Sequence, residues 1–212
     1  MTILPDNNKT RLLAISQLEL GSVIAYPTDT VYGLGVDTLN AQSVVRLFEI
    51  KKRDIGIAVP VLIGSMDQLL NVAADIPYEA YKLAEKFWPG PLTMILKKNP
   101  KIPEQVTAGE STIAVRIPNH PCALQLSLAF EAGIIGTSAN IHGEPSTLNA
   151  SEINQQIGMH IDLILDGGHA KSDQSSTIIN LVDKNFPVLR EGAIQRSVLE
   201  STIALFETES EN

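Results

Sequence analysis

The sequence predicts a mixed-sheet protein of the α/β or α+β class. Apolar runs of strand length interleave with segments of helical periodicity, and several of those runs lie too close together for helical crossovers, so the sheet must pair in both directions. With 44% hydrophobic and 19% charged residues over 212 positions, the chain has the composition of a folded domain and not of a disordered one. No repeat, low-complexity block or Pro/Gly/Ser linker interrupts it, so residues 1–212 are expected to form a single domain.

In order along the chain, Asn7 or Asn8 caps a first helix carried by Leu12, Leu13, Ile15 and Leu18, and Gly21 ends it. The stretch from Ser22 to Asp37 follows as an apolar strand to Tyr26, a stop at Pro27, a polar loop of Thr28, Asp29 and Thr30, and two closely spaced glycines, Gly33 and Gly35. By itself it reads equally as a strand with a tight turn or as a site. Val44, Val45, Leu47, Phe48 and Ile50 predict a second helix with Lys51, Lys52 and Arg53 in its last turn, where cations favour the helix dipole.

Ile57 to Ile63 reads as a buried strand that Pro60 demotes to an edge or a bulge. Two helical segments follow, the second from about Pro77 to Phe87. Trp88-Pro89-Gly90-Pro91 then turns the chain into a strand from Leu92 to Leu96. Thr112 to Pro118 is a half-buried strand with Thr112, Ala114 and Arg116 on one face. A helix from Pro121 to Ala132 leads to the short strand Ile134-Ile135, which opens into Gly136-Thr137-Ser138-Ala139-Asn140. Asn149 with Glu152 forms a capping box for a helix to about Ile157. Ile161 to Leu165, Ile178-Ile179 and Val188 to Arg190 are further strands, and the acidic tail 207–212 is expected to fray.

A net charge of −8 excludes a global field that draws the protein onto nucleic acid or an anionic membrane. The single cysteine, Cys122, rules out an internal disulfide and reads as a core thiol. No run is long enough to span a bilayer and the N-terminus lacks a signal-peptide layout, so a cytoplasmic protein with no membrane partner is expected. His120, His142, His160 and His169 lack ligand spacing and read as surface or capping residues, and no metal site is expected.

The familiar phosphate and hydrolase motifs are missing: no P-loop, no dinucleotide fingerprint, no His-Glu-x-x-His and no Gly-x-Ser-x-Gly. Hydroxyl, amide and basic residues stand at strand ends instead. If those ends converge, Lys51, Arg53, Arg116 and Arg190 make a local anion site. Otherwise each pairs with one of the 24 acidic residues.

Six motifs in order carry a resemblance: Tyr26-Pro-Thr-Asp-Thr-Val-Tyr-Gly-Leu-Gly, Lys51-x-Arg53, Trp88-Pro-Gly-Pro-Leu-Thr, Ala114-Val-Arg-Ile-Pro, Ser138-Ala-Asn and Leu189-Arg-x-Gly-Ala. Together they resemble the YrdC family of threonylcarbamoyl-AMP synthases, over a core of about residues 10–196. The resemblance implies a single α/β domain with a twisted mixed sheet, helices on its faces and a basic cleft. It implies a nucleotidyltransferase that condenses L-threonine, bicarbonate and ATP into threonylcarbamoyl-AMP and pyrophosphate, the first step of threonylcarbamoyladenosine formation in tRNA. Mg²⁺ is implied on the phosphates, with a downstream threonylcarbamoyl transferase and a tRNA contact as partners.

Carried over by position, Thr30, Arg116 and Ser176 match the L-threonine contacts, with Arg116 a partner for its carboxylate. Lys51, Arg53, Ser138 and Asn140 match the catalytic tetrad around the nucleotide, and Thr112, Ser146 and Arg190 match other ATP contacts. Asp29 and the two glycines are read as holding the shape of the loop. The chain departs from the family at Asp54, Ile57, Ala58 and Leu62, where many members carry Pro, Asn or Lys, Pro and His. A non-catalytic paralogue binding RNA or nucleotide is the rival reading.

Overall fold

The computed structural model describes residues 2–170, 172 and 174–210. The elements in chain order are β1 (Thr2–Pro5), α1 (Asn8–Glu19), β2 (Ile24–Tyr26), β3 (Gly33–Gly35), α2 (Ala41–Lys51), β4 (Val61–Leu62), α3 (Leu69–Val72), β5 (Ala73–Ala74) and α4 (Tyr78–Phe87). There follow β6 (Leu92–Lys98), α5 (Glu104–Thr107), β7 (Thr112–Arg116), α6 (Pro121–Leu128), β8 (Ile134–Ile135), β9 (Thr137–Ser138), α7 (Ala150–Ile157), β10 (Leu163–Asp166), β11 (Thr177–Asn180), β12 (Val188–Arg190) and α8 (Arg196–Ser210).

The strands form two mixed sheets where the sequence suggests one. The first has the order β1-β10-β2-β3-β9, and the second β12-β11-β6-β7-β4-β8 with β5 beside β6. They meet where Asp37 bridges to Ile134 and the Ile135 N–H donates to the Val36 carbonyl at 2.9 Å. Parallel pairs such as β6 with β11 coexist with antiparallel pairs such as β6 with β7, as the short connections require.

One large cluster, including Leu34, Val44, Leu47, Phe48, Val61, Leu83, Met94 and Val115, forms the main core. A second, with Ile24, Tyr26, Cys122, Leu126, Ile134 and Leu165, lies under α1 and α6. Cys122 is fully buried, and burial pushes its thiol well above the ordinary range.

Local chemistry explains the starts and stops. Asn7 accepts from the N–H groups of Lys9 and Thr10 while Thr10 returns a bond to Asn7, closing a capping box. Asn149 accepts from the Glu152 N–H, and the Glu152 carboxylate reaches Leu148 N–H and the Asn149 side chain. The His120 ring accepts from the Cys122 N–H and caps α6, the capping role expected for it.

Several expectations are corrected. Gly33 and Gly35 lie inside β3 and not in a turn. The Tyr26 ring on β2 fills the space where their side chains would stand: a Cβ at Gly33 or Gly35 would lie 2.8 or 2.7 Å from it. The strand expected over Ile57–Ile63 shrinks to Val61–Leu62 and is internal, between β7 and β8. Pro60 precedes it, so its missing N–H costs no ladder bond, and its carbonyl accepts from the Gly136 N–H. The helix expected to Ala132 ends at Leu128. Helix α2 stops at Lys51, because Lys52 takes the left-handed cap conformation, φ 50°. The backbone expected to fray from 207 is helical through Ser210, while Glu211 and Asn212 lie outside the described residues.

Candidate functional site

Helix α2 buries Val44, Leu47, Phe48 and Lys51, a stripe at spacings of three and four in which the last apolar position is a lysine. Lys51 is 1% exposed. Its Nζ donates to the Ser138 carbonyl at 2.5 Å and to the Asn140 carbonyl at 2.6 Å, and its own carbonyl accepts from the His142 N–H. Burial, and then the nearby charge of Arg53, push its ammonium down to about 7. The helix end and the segment 138–142 are therefore one unit.

Asn140 gives both amide N–H groups to the carbonyls of Ile141 and Glu144, and Thr147 donates to the Ala139 carbonyl. These bonds fold residues 141–147 against the Ser-Ala-Asn segment. Ser146 is exposed on that loop.

Arg53 turns back onto its own loop, giving Nε–H to the Ile57 carbonyl at 3.2 Å and Nη2–H to the Ala58 carbonyl at 2.8 Å. Asp54 accepts from the Gly56 N–H, closing an Asx turn. Both departures at 57 and 58 thus meet Arg53 through main-chain oxygens, which any residue supplies.

Strand β7 measures the site. Arg116 stands at its end and Thr112 at its start, roughly 13 Å away at strand rise, with Ala114 between them on the same face. The parallel register pairs Val61 with Val115 and Leu62 with Arg116, so β4 runs beside the Arg116 end of β7.

At the Arg116 end, Nε–H goes to the Gly90 carbonyl at 2.8 Å, Nη1–H to the Thr30 hydroxyl at 3.2 Å and Nη2–H to Asp29 Oδ1 at 2.5 Å. Thr30 shares a 3.1 Å hydroxyl contact with Thr28, which donates to the Val31 carbonyl. Thr93 on β6 and Ser176, just before β11, join hydroxyls at 2.8 Å, and Arg190 donates twice to the Ser176 carbonyl and once to its hydroxyl. Partial burial and the like charge of Arg116 lower Arg190 from its ordinary value.

The two ends are joined through the first sheet. Gly33 pairs with Ser138, and the Ala139 N–H donates to the Tyr32 carbonyl. The loop that carries Thr30 and the segment that Lys51 holds are consecutive along one antiparallel pair. Tyr32 also ties down the far side, its hydroxyl accepting from Gly167 N–H and donating to the Gly168 carbonyl.

Of the positions expected in the site, Thr30 bonds Arg116 and Ser176 bonds Arg190, while Lys51 bonds the backbone of Ser138 and Asn140. Arg53 joins the second group through its charge on Lys51. Thr112 and Ser146 make no side-chain hydrogen bond to these residues among those described. Asp29, Gly90 and Thr93 complete the network, and no ligand contact was expected of them. Each carried a signal, Asp29 as the one carboxylate in the polar loop and Gly90 and Thr93 as members of the Trp88-Pro-Gly-Pro-Leu-Thr motif.

Two mixed sheets with hydroxyls, amides and cations gathered at their strand ends define a class of α/β protein built around a polar site. Residues 16–192 match the family model Sua5_yciO_yrdC, described as telomere recombination, and the chain belongs to this Sua5/YciO/YrdC family. It is 39% identical over 191 residues to the threonylcarbamoyl-AMP synthase of Pyrococcus abyssi, covering 90% of this chain and 56% of that protein. The Bacillus subtilis threonylcarbamoyl-AMP synthase is 35% identical over 201 residues, covering 94% of this chain and 58% of its own. The crystal structure of P. abyssi Sua5 complexed with L-threonine superposes with a TM-score of 0.90 at 37% identity, over 95% of this chain and 59% of that one. The chain therefore spans somewhat more than half the length of these relatives.

Proposed function

We propose that the protein is an L-threonylcarbamoyladenylate synthase. The observation that carries this reading is the continuity of the two polar groups across the Gly33 to Ser138 pairing: Thr30, Arg116, Ser176 and Arg190 at one end, Lys51, Arg53, Ser138 and Asn140 at the other. A cleft with a threonine side and a nucleotide side needs that arrangement, and its cations supply the basic lining. Similarity to relatives named threonylcarbamoyl-AMP synthase, one with L-threonine bound in its crystal structure, supports the same assignment.

The chemistry asks for positioning and charge neutralisation more than for a nucleophile. Threonine's amine combines with bicarbonate to give an N-carboxylate and water. One carboxylate oxygen attacks the α-phosphorus of ATP, the bond to the bridging oxygen breaks, and pyrophosphate leaves with the electron pair. Thr30, Arg116 and Ser176 hold the amino acid; Lys51 and Arg53 face the phosphates from the nucleotide side and Arg190 from the threonine side, with Thr112, Ser138, Asn140 and Ser146 as nucleotide contacts. Among the described residues no group of three or more His, Cys, Asp or Glu is placed to hold a metal. The donor set suits phosphate oxygens, so Mg²⁺ enters with the triphosphate as part of the substrate.

The product is a mixed anhydride that a tRNA-modifying threonylcarbamoyl transferase would consume, in the cytoplasm. Among the described residues no helix is long and apolar enough to cross a membrane. The test is pyrophosphate release with each substrate omitted in turn. Release only when L-threonine, bicarbonate and ATP are all present supports the assignment. ATP turnover indifferent to threonine, or none at all, sinks it; tight, steeply salt-dependent tRNA binding without turnover would favour a non-catalytic RNA-binding role.

A further inference from the structure

Two other arginine–aspartate pairs among the described residues are closed. Arg11 meets both oxygens of Asp6, at 2.6 and 2.7 Å, and Arg46 meets both oxygens of Asp162, at 2.7 and 3.0 Å. That two-pronged geometry is the ordinary way a guanidinium satisfies a carboxylate.

The pair between Arg116 and Asp29 is open. It uses one bond, from Nη2 to Oδ1, and Asp29 Oδ2 accepts nothing from the described residues. Arg116 has five N–H groups, and Gly90, Thr30 and Asp29 take one each, so two have no acceptor among the described residues. The Arg116 side chain is 6% exposed and that of Asp29 13%, and Asp29 Oδ2 is not among the buried unpartnered atoms of the described residues, so a ligand can reach this oxygen beside a deeply held guanidinium. A structural pair would close; this one has a free acceptor beside free donors.

An amino-acid zwitterion matches that vacancy in both signs. We propose that Asp29 and Arg116 form a zwitterion-recognition pair, in which the free N–H groups of Arg116 take the substrate α-carboxylate and Asp29 Oδ2 takes its α-ammonium. Asp29 is then the residue that selects amino acids over hydroxy acids. A site meant for a simple anion would gain nothing from a carboxylate set against Arg116. The inference rests on the threonine-side reading above and adds to it a residue that the loop-shaping role did not predict.

Isothermal calorimetry with the full chain tests it, using L-threonine and 2,3-dihydroxybutanoate, which replaces the amine by a hydroxyl. A hydrogen bond to a charged group corresponds to roughly ten- to a hundred-fold in affinity, so the wild-type protein should prefer threonine by that factor. Asp29→Asn keeps an oxygen for Arg116 but presents an N–H to the ammonium, so it should lose threonine by a similar factor while holding the hydroxy acid unchanged or more tightly. Equal loss of both ligands in Asp29→Asn, or unchanged threonine binding, overturns the proposal. Should that variant fail to fold, the wild type still decides, because equal binding of the two compounds overturns the inference alone. Binding of neither overturns the threonine reading and the inference with it.

Discussion

Lys51 donates to the carbonyl of Ser138 at 2.5 Å from a side chain that is 1% exposed, so a buried ammonium joins the end of α2 to the segment across the sheet. Burial and the charge of Arg53 lower it to about 7, against an unfolded value of 10.5. Between those values the unfolded chain binds more protons than the folded one, so this group makes stability rise with pH from about 7 to about 10.5 and leaves it level below about 7. Chemical denaturation across that range should show the rise, and Lys51→Met should flatten it. At pH 8 a bound triphosphate should draw a proton onto Lys51, detectable as proton uptake in calorimetry run in buffers of different ionisation enthalpy.

Thr30→Val keeps the shape of the side chain and removes the hydroxyl that accepts from Arg116. Loss of one hydrogen bond to a charged group predicts about a ten-fold rise in KM for L-threonine, with KM for ATP unchanged. Steady-state kinetics with each substrate varied separately checks it, and an equal effect on both would refute the division of the site into two sides.

Arg53 is oriented by the carbonyls of Ile57 and Ala58. Lysine cannot reproduce a planar fork on two oxygens, so Arg53→Lys should raise KM for ATP by about ten-fold or more. Ile57→Ala leaves both oxygens in place and should change that KM less than about two-fold. A larger effect of Ile57→Ala would mean that the side chain itself contacts nucleotide.

Gly35 is required by packing. A Cβ there would stand 2.7 Å from the Tyr26 ring and 2.9 Å from the Ile135 carbonyl oxygen, and the latter belongs to the main chain. Overpacking of this kind costs about 1–3 kcal/mol, which for a chain of this size lowers Tm by about 2–4 °C per kcal/mol. Thermal unfolding of Gly35→Ala measures it.

What the sequence revealed and what it hid follow from the range of the interactions. Helix α1 was legible through the Asn7 cap, which acts within one turn, whereas its apolar face was misjudged, since Leu12 and Leu13 are exposed and Ala14 and Leu18 are the buried residues. Strand β3 was not, since Gly33-Leu34-Gly35 has poor strand propensity and becomes a strand only because Tyr26 packs over both glycines. Strand β1 was missed for a like reason, its partner β10 lying some 160 residues along the chain. Helix α8 was hidden by the acidic composition of its last turns. Thr30, Arg116, Ser176 and Arg190 stood out as hydroxyls and cations at strand ends, whereas the bond from Arg116 to Asp29, 87 residues away, needed the folded register.

Synthesis with carbon-13 bicarbonate tests the central claim most directly. Incubated with L-threonine and ATP, the protein should form an adenylate whose carbamoyl carbon carries the label, matched one for one by released pyrophosphate, as mass spectrometry of the quenched reaction would show. Pyrophosphate accompanied by an unlabelled threonyl adenylate, or an adenylate formed at the same rate without threonine, would contradict it.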